Sequence, residues 1–221
     1  MISYVKIGLQ IWSNSNLNLN SFRNGDNIVE AASNNEWKEC AKNKIPAWCN
    51  YNNESKLGEI FGKIYNQWAI LDPRGLAPEA WRIATEHDWL ALGEYLGGRG
   101  VAGGKIKSIN HWGYYEDDYL NAQKLPENEI RNSVCHWQVD QSSETIENNE
   151  SGFTALPGGY RNQVGMFMDI GIYSYWWSVL NEKKQYYKFN CNSFYTAYNS
   201  LMLNRMPIRE SEGFSVRCVK Y

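Results

Sequence analysis

Apolar residues occur along this chain in short bursts separated by polar stretches rich in Asn, Ser and Gly. Val5 to Trp12 is apolar and β-branched and predicts the first strand. Ser13 to Asn35 is dense in Asn and Ser, which favour turns. Leu57, Ile60, Phe61, Ile64, Tyr65 and Trp68 fall at helical spacing and predict one amphipathic helix before Asp72-Pro73. Pro73 and Gly75 then break it. A second helix starts at Thr85, which with Asp88 three residues on suits a capping box. Trp89, Leu92 and Leu96 make its apolar face, a stripe suited to burial against a sheet, and Gly97-Gly98 ends it. The glycine-rich run Gly97 to Lys105 reads as a loop.

From His111 to Asn149 the chain is polar and acidic with few apolar anchors, and it reads as a long excursion from the domain. Beyond Gly152, aromatic runs alternate with turn residues: Tyr175 to Leu180, Tyr186 to Asn190, Phe194 to Asn199 and Gly213 to Val219 carry strand signals. One strand, two helices and a strand-rich end make an α+β domain, with two helices packed on a mostly antiparallel sheet and long irregular loops.

The length of 221 residues suits a single domain, residues 1–221, with a sizeable core. A net charge of −2 and no basic stripe argue against a nucleic-acid partner. No apolar run reaches membrane-spanning length, so no membrane insertion is expected. The first residues lack a signal-peptide pattern. The 5 cysteines (Cys40, Cys49, Cys135, Cys191, Cys218) are odd in number and show no C-x-x-C spacing, which predicts free thiols rather than a disulfide framework or zinc ribbon.

Several motifs reduce to plainer readings. Gly98-x-Gly100-x-x-Gly103 matches a dinucleotide fingerprint but follows a helix, where that motif needs a preceding strand. His87, His111 and His136 are scattered and show no zinc-ligand spacing, and His111-Trp112 and His136-Trp137 read as surface or lid residues. Glu116-Asp117-Asp118 reads as a solvated acidic loop rather than a calcium site. No nucleophile stands beside an evident base. No catalytic residue, metal or cofactor is therefore assigned.

The run Gly75 to Ile83, then Thr85 to Trp89, Tyr95 to Gly98 and Val101 to Lys105, resembles the Fibrobacter succinogenes major paralogous domain. So do GFTALPGGYR (Gly152 to Arg161), Tyr175-Trp176-Trp177-Ser178 and GFSVRCVK (Gly213 to Lys220), and Val5 to Gly8 and Gln10 to Trp12 fit its start. Ala84 stands where that family usually has proline, and a polar segment around 113–135 looks inserted. The resemblance implies a C-type-lectin-like fold related to that of formylglycine-generating enzymes, in surface or secreted proteins of Bacteroidetes and Fibrobacter. The same C-terminal framework is similar to the variable proteins of diversity-generating retroelements, some of them in phages.

The stretch between the two framework flanks is rich in Tyr, Ser, Asn and Met. Tyr supplies large contact area at low entropic cost, while Ser and Asn adapt their hydrogen bonds. The expected function is non-enzymatic ligand binding. The face would display Tyr173, Tyr175, Asn181, Tyr186, Lys188, Tyr195, Tyr198, Asn204 and Met206 to a protein or glycan on a cell surface. Trp177 and Phe214 are expected inside, as framework. A structural or assembly module of a cell surface or phage particle, and an oxidase-like enzyme, are the alternatives.

Overall fold

The computed structural model describes residues 2–109, 111–112, 148–180, 191–208 and 211–221. The first apolar run forms two strands, β1 (Tyr4–Ile7) and β2 (Gln10–Ser13), paired antiparallel. Gly8 turns the chain between them at φ +60, and the Tyr95 ring stands where a side chain would begin. The Asn/Ser-rich stretch stays largely irregular up to β3 (Val29–Glu30).

Helix α1 (Asn34–Lys42) was not indicated by apolar periodicity, yet its start is written in the chain. The Ser33 side chain accepts from Glu36 N and its hydroxyl donates to the Glu36 carboxylate. β4 (Ala47–Cys49) follows.

The helix expected across Leu57 to Trp68 is three elements: α2 (Ser55–Phe61), β5 (Ile64–Asn66) and α3 (Gln67–Ile70). Gly62 stops α2 at φ +77, where an added Cβ would lie 2.7 Å from the Asn16 side chain. Asn66 then caps α3, its side chain accepting from Ala69 N. Of the periodic residues Leu57, Phe61, Ile64 and Tyr65 are buried, while Ile60 is exposed.

β6 (Trp81–Ile83) leads into α4 (Glu86–Tyr95), which keeps the expected capping box between Thr85 and Asp88. Trp89, Leu92 and Leu96 are all buried. The Trp89 ring stacks on Trp176 and Phe194 at centroid distances of 5.3 and 5.5 Å. Truncating such a buried tryptophan to alanine costs about 3–5 kcal/mol.

The glycine-rich run is helix α5 (Arg99–Ile106), not a loop. One of its glycines serves contact rather than flexibility. A Cβ on Gly103 would sit 2.3 Å from the Met202 carbonyl oxygen, so only glycine lets that backbone approach. Five α-helices thus stand among the described residues, against two expected, because helices of four to nine residues are too short for a clear periodicity.

The remaining strands are β7 (Gly158–Arg161), β8 (Phe167–Ile170), β9 (Tyr173–Val179), β10 (Cys191–Ala197), β11 (Asn204–Met206), β12 (Gly213–Phe214) and β13 (Cys218–Lys220). One four-stranded sheet runs β1-β2-β13-β6 and brings the two ends of the chain together, with Val219 opposite Trp12. A nine-stranded sheet runs β11-β10-β9-β7-β12-β5-β4-β3, with β8 paired to β7. The architecture is α+β, with helices set against mixed, mostly antiparallel sheets.

Arg217 joins the two flanks of the C-terminal framework. It is fully buried and donates to Asn16 Oδ1 (2.7 Å) and to the carbonyls of Ser13, Phe153 and Thr154 (2.8–2.9 Å). Trp177 and Phe214 are both wholly inside, with rings 4.8 Å apart. Trp112 is buried and donates from Nε1 to the Ala155 carbonyl, so it is a core residue and not the surface or lid group the sequence suggested. His136-Trp137, Glu116 to Asp118, Cys135 and the 113–135 segment lie outside the described residues.

Candidate recognition face

Side chains alternate between the two faces of a strand, and directly opposed residues on neighbouring strands share a face. In β9 and β10, Ser174, Trp176, Ser178, Asn192, Phe194 and Thr196 share the face that Trp89 of α4 covers. Tyr173, Tyr175 and Tyr195 lie on the other. Tyr175 is registered against Tyr195, and Tyr195 against Asn204, while Met206 opposes Ser193 on the same side.

This row continues past β9. Gly159 pairs with Ser174, which sets Tyr160 beside Tyr175 with rings 5.0 Å apart, and Tyr160 pairs with Met168. Met168, Tyr160, Tyr175, Tyr195 and Asn204 therefore cross β8, β7, β9, β10 and β11 in one line. Tyr173 adds a second rank, stacked on Tyr175 at 5.6 Å and 6.2 Å from Tyr195. Such aromatic contacts each contribute about 0.5–1.5 kcal/mol beyond area burial, so the rings hold one another upright.

The middle of the row belongs to the core. Tyr175, expected on display, is only 9% exposed and stacks on Phe214. Tyr173, Tyr195, Asn204 and Met206 are half-buried. Tyr198 is exposed but lies one residue beyond β10, where its carbonyl accepts from Lys107 Nζ at 2.7 Å. It stands apart from the row. Asn181, Tyr186 and Lys188 lie outside the described residues.

Among the described residues one charged group meets the row. The Asp169 carboxylate accepts the Tyr175 hydroxyl proton at 3.0 Å. Burial pushes the Asp169 carboxyl above the usual range, and the tyrosine hydrogen bond only partly offsets it. Burial, and then the Asp169 charge, push the Tyr175 hydroxyl far up, so it stays a proton donor.

The position of Asp169 is built by the backbone. Gly159, at φ +61, lets the Met168 carbonyl come to 2.2 Å from where a Cβ would be. Asp169 itself sits at φ +65, a left-handed conformation that aspartate tolerates better than most residues.

A family model described as the Fibrobacter succinogenes major domain matches residues 5–220. The chain belongs to that family. No curated protein and no solved structure matches it. The framework of this Fibrobacter-type domain is what the structure ties together: the first strands, the Phe153-Thr154 stretch and the Arg217 strand meet at one buried guanidinium.

Tyr160, Met168 and Asp169 were missed by sequence reasoning. Tyr160 falls within the framework motif GFTALPGGYR, and the short apolar run Met166-Phe167-Met168 after Gly165 was the available signal for β8. Two cysteines of this domain, Cys191 and Cys218, lie in the same buried core, and burial pushes both thiols up to about 12. A thiol so raised is almost wholly protonated at neutral pH and makes a poor nucleophile. Among the described residues no group of three or more His, Cys, Asp or Glu is placed to hold a metal ion, and no helix is long and apolar enough to cross a membrane.

Proposed function

We propose that this Fibrobacter-type domain is a non-enzymatic, C-type-lectin-like recognition module, and that the tyrosine row on β8, β7, β9, β10 and β11 is its binding face. The observation that carries this is the convergence of Tyr160, Tyr173, Tyr175, Tyr195, Asn204, Met206 and Met168 on one side of the sheet, buried at the middle of the row and open toward both ends. Rigid aromatic anchors ringed by adaptable polar groups are the make-up of binding surfaces. The raised, buried thiols speak against the oxidase-like alternative. The partner is a protein or glycan, encountered at a cell surface, in secretion or on a phage particle.

The combined change Tyr173→Ser, Tyr195→Ser and Asn204→Ala tests this. Wild type and variant are screened against a glycan array and a random-peptide display library, with thermal unfolding of both as a fold control. Binders recovered on wild type should lose at least tenfold in affinity for the folded variant. Binders indifferent to the change would move the site elsewhere. A reverse-transcriptase gene beside the coding sequence, with a near-copy of the Tyr173 to Arg209 coding region differing mainly at adenines, would support a retroelement-diversified version of this reading.

Assembly is the second reading, favoured by β8. This strand pairs with β7 alone among the described strands, and it carries exposed Met168 with Met166 and Val164 just before it. An open apolar edge is a template for pairing with another chain. Light scattering over a concentration series separates the two readings, since only assembly makes mass rise with concentration.

A further inference from the structure

We infer that the tyrosine row takes the guanidinium of an arginine on a protein partner, stacked on the exposed side of Tyr195, with the Asp169 carboxylate as its counter-ion. This rests on the recognition reading above and names the chemistry of its ligand.

Asp169 is set apart by what it lacks. Three other buried or half-buried carboxylates of the domain pair with an arginine: Asp88 with Arg82, Glu86 with Arg205 and Asp72 with Arg74. Asp169 is half-buried at the edge of an aromatic cluster, and its side chain contacts the Tyr175 hydroxyl and no Lys or Arg among the described residues. A carboxylate taken partly out of water without a cation is a cost to folding. Here the backbone is bent to hold it in place, through the close approach at Gly159 and the left-handed φ of Asp169. Strained positions of this kind gather at ligand sites.

The rings select the cation. Aromatic faces carry negative potential and attract cations lying over them. Tyr173 and Tyr175 are nearly parallel, with 21° between their planes, and Tyr195 is tilted only 32° from Tyr175. Tyr195 is tilted 51° from Tyr173, so Tyr173 and Tyr175 cover each other while Tyr195 offers a single flat face rather than the wall of an enclosing cage. A quaternary ammonium gains most from a cage, whereas a planar guanidinium stacks on a flat ring and offers a fork of N–H donors to a carboxylate. Tyr175 occupies Oδ2 of Asp169, and among the described residues Oδ1 remains to accept from the guanidinium. A neutral sugar would stack on the rings without needing the charge, and an anion would be repelled by it.

The test uses the full chain and two five-residue peptides, Gly-Gly-Arg-Gly-Gly and its citrulline counterpart, which keeps the shape and removes the charge. Binding is read by chemical-shift perturbation, including the tyrosine ring signals. The arginine peptide should bind at least tenfold tighter than the citrulline peptide. Asp169→Asn should erase that preference, and Tyr195→Ala should weaken the arginine peptide several-fold. Tyr195→Phe, which keeps the packing and the π face, should bind as wild type does.

Equal binding of the two peptides, or an arginine preference untouched by Asp169→Asn, overturns the assignment. Neutral oligosaccharides that bind in a Tyr195-dependent, Asp169-independent way would overturn it too, while leaving the recognition face in place. Absence of any Tyr195-dependent binder, peptide or sugar, removes both.

Discussion

Asn16 Oδ1 accepts the Arg217 Nε proton at 2.7 Å across 201 positions of sequence, and the same oxygen accepts from Trp176 Nε1 at 3.0 Å. Its amide nitrogen donates to the Phe61 carbonyl at 2.7 Å. One short side chain thus joins the N-terminal segment, helix α2, the central strand β9 and the C-terminal strand. Asn16→Ala leaves two buried donors with no acceptor, each worth about 1–3 kcal/mol. The denaturation midpoint should fall by the equivalent of about 2–4 kcal/mol with an unchanged m-value. A loss under about 1 kcal/mol would mean that water replaces the amide.

Two glycines of α5 should respond with opposite signs. A Cβ on Gly100 meets nothing within 4 Å, so Gly100→Ala should stabilise by up to about 1 kcal/mol through helix propensity. Gly103→Ala drives a methyl into the Met202 carbonyl and should cost about 1–3 kcal/mol. Thermal unfolding of both variants checks the pair.

Acid unfolding should report Asp88. Burial alone would raise its carboxyl, but hydrogen bonds from Arg82 and Thr85 outweigh burial and leave it below the usual range. A lowered carboxylate stabilises the fold above its unfolded value, near pH 4, and loses that stabilisation as pH falls through its folded value. Asp88→Asn should therefore cost about 1–2 kcal/mol at neutral pH, the size of a lost helix cap, and flatten the acid limb of the stability curve. Asp169 has the reverse sign. Its carboxyl is raised by burial, so its contribution is present below the unfolded value and declines as pH rises through its raised folded value. Asp169→Asn should raise the melting temperature at neutral pH.

Cys40, Cys49, Cys191 and Cys218 are free and buried. Burial raises all four thiols, the last three to about 12. Native protein should leave these thiols unlabelled by an aromatic disulfide reagent at neutral pH over minutes. Denatured, unreduced protein should release at least four. Rapid native labelling traced to any of the four by mass spectrometry would contradict their burial.

Tyr195 and Tyr198 are near neighbours in sequence but should behave differently. Tyr195 packs against Tyr173 and Tyr175, so Tyr195→Ala should cost about 1–3 kcal/mol. Tyr198 is exposed beyond the strand, and its alanine variant should stay within about 0.5 kcal/mol of wild type. Urea midpoints at constant m-value decide it.

Local chemistry was legible in the chain. The Thr85–Asp88 capping box, the stop at Gly97-Gly98, the buried stripe of α4 and the enclosed Trp177 and Phe214 all rest on neighbours a few residues apart or on large apolar side chains. The cap of α1, Ser33 with Glu36, was equally local and waited only to be read. Where distant backbone decided, periodicity misled. Leu57 to Trp68 keeps its helical spacing, but Gly62 packs against Asn16 and splits the run, while Gly97 to Lys105 reads as a loop and is held as a helix by the fit of Gly103 to Met202.

The binding face divides in the same way. Its composition, tyrosine with Asn and Met, is written in the C-terminal segment. Which tyrosines align is a matter of strand register, and register is set by pairings between residues far apart in the chain. The parallel pairing of Gly159 with Ser174 brings Tyr160 into the row, the φ of Asp169 sets a carboxylate against it, and burial beneath Phe214 takes Tyr175 inward. The sequence by itself determined the caps, the apolar inventory and the family. The tertiary structure decided which side chains meet, because contact between remote residues depends on how sheets stack, and short-range spacing carries no record of that.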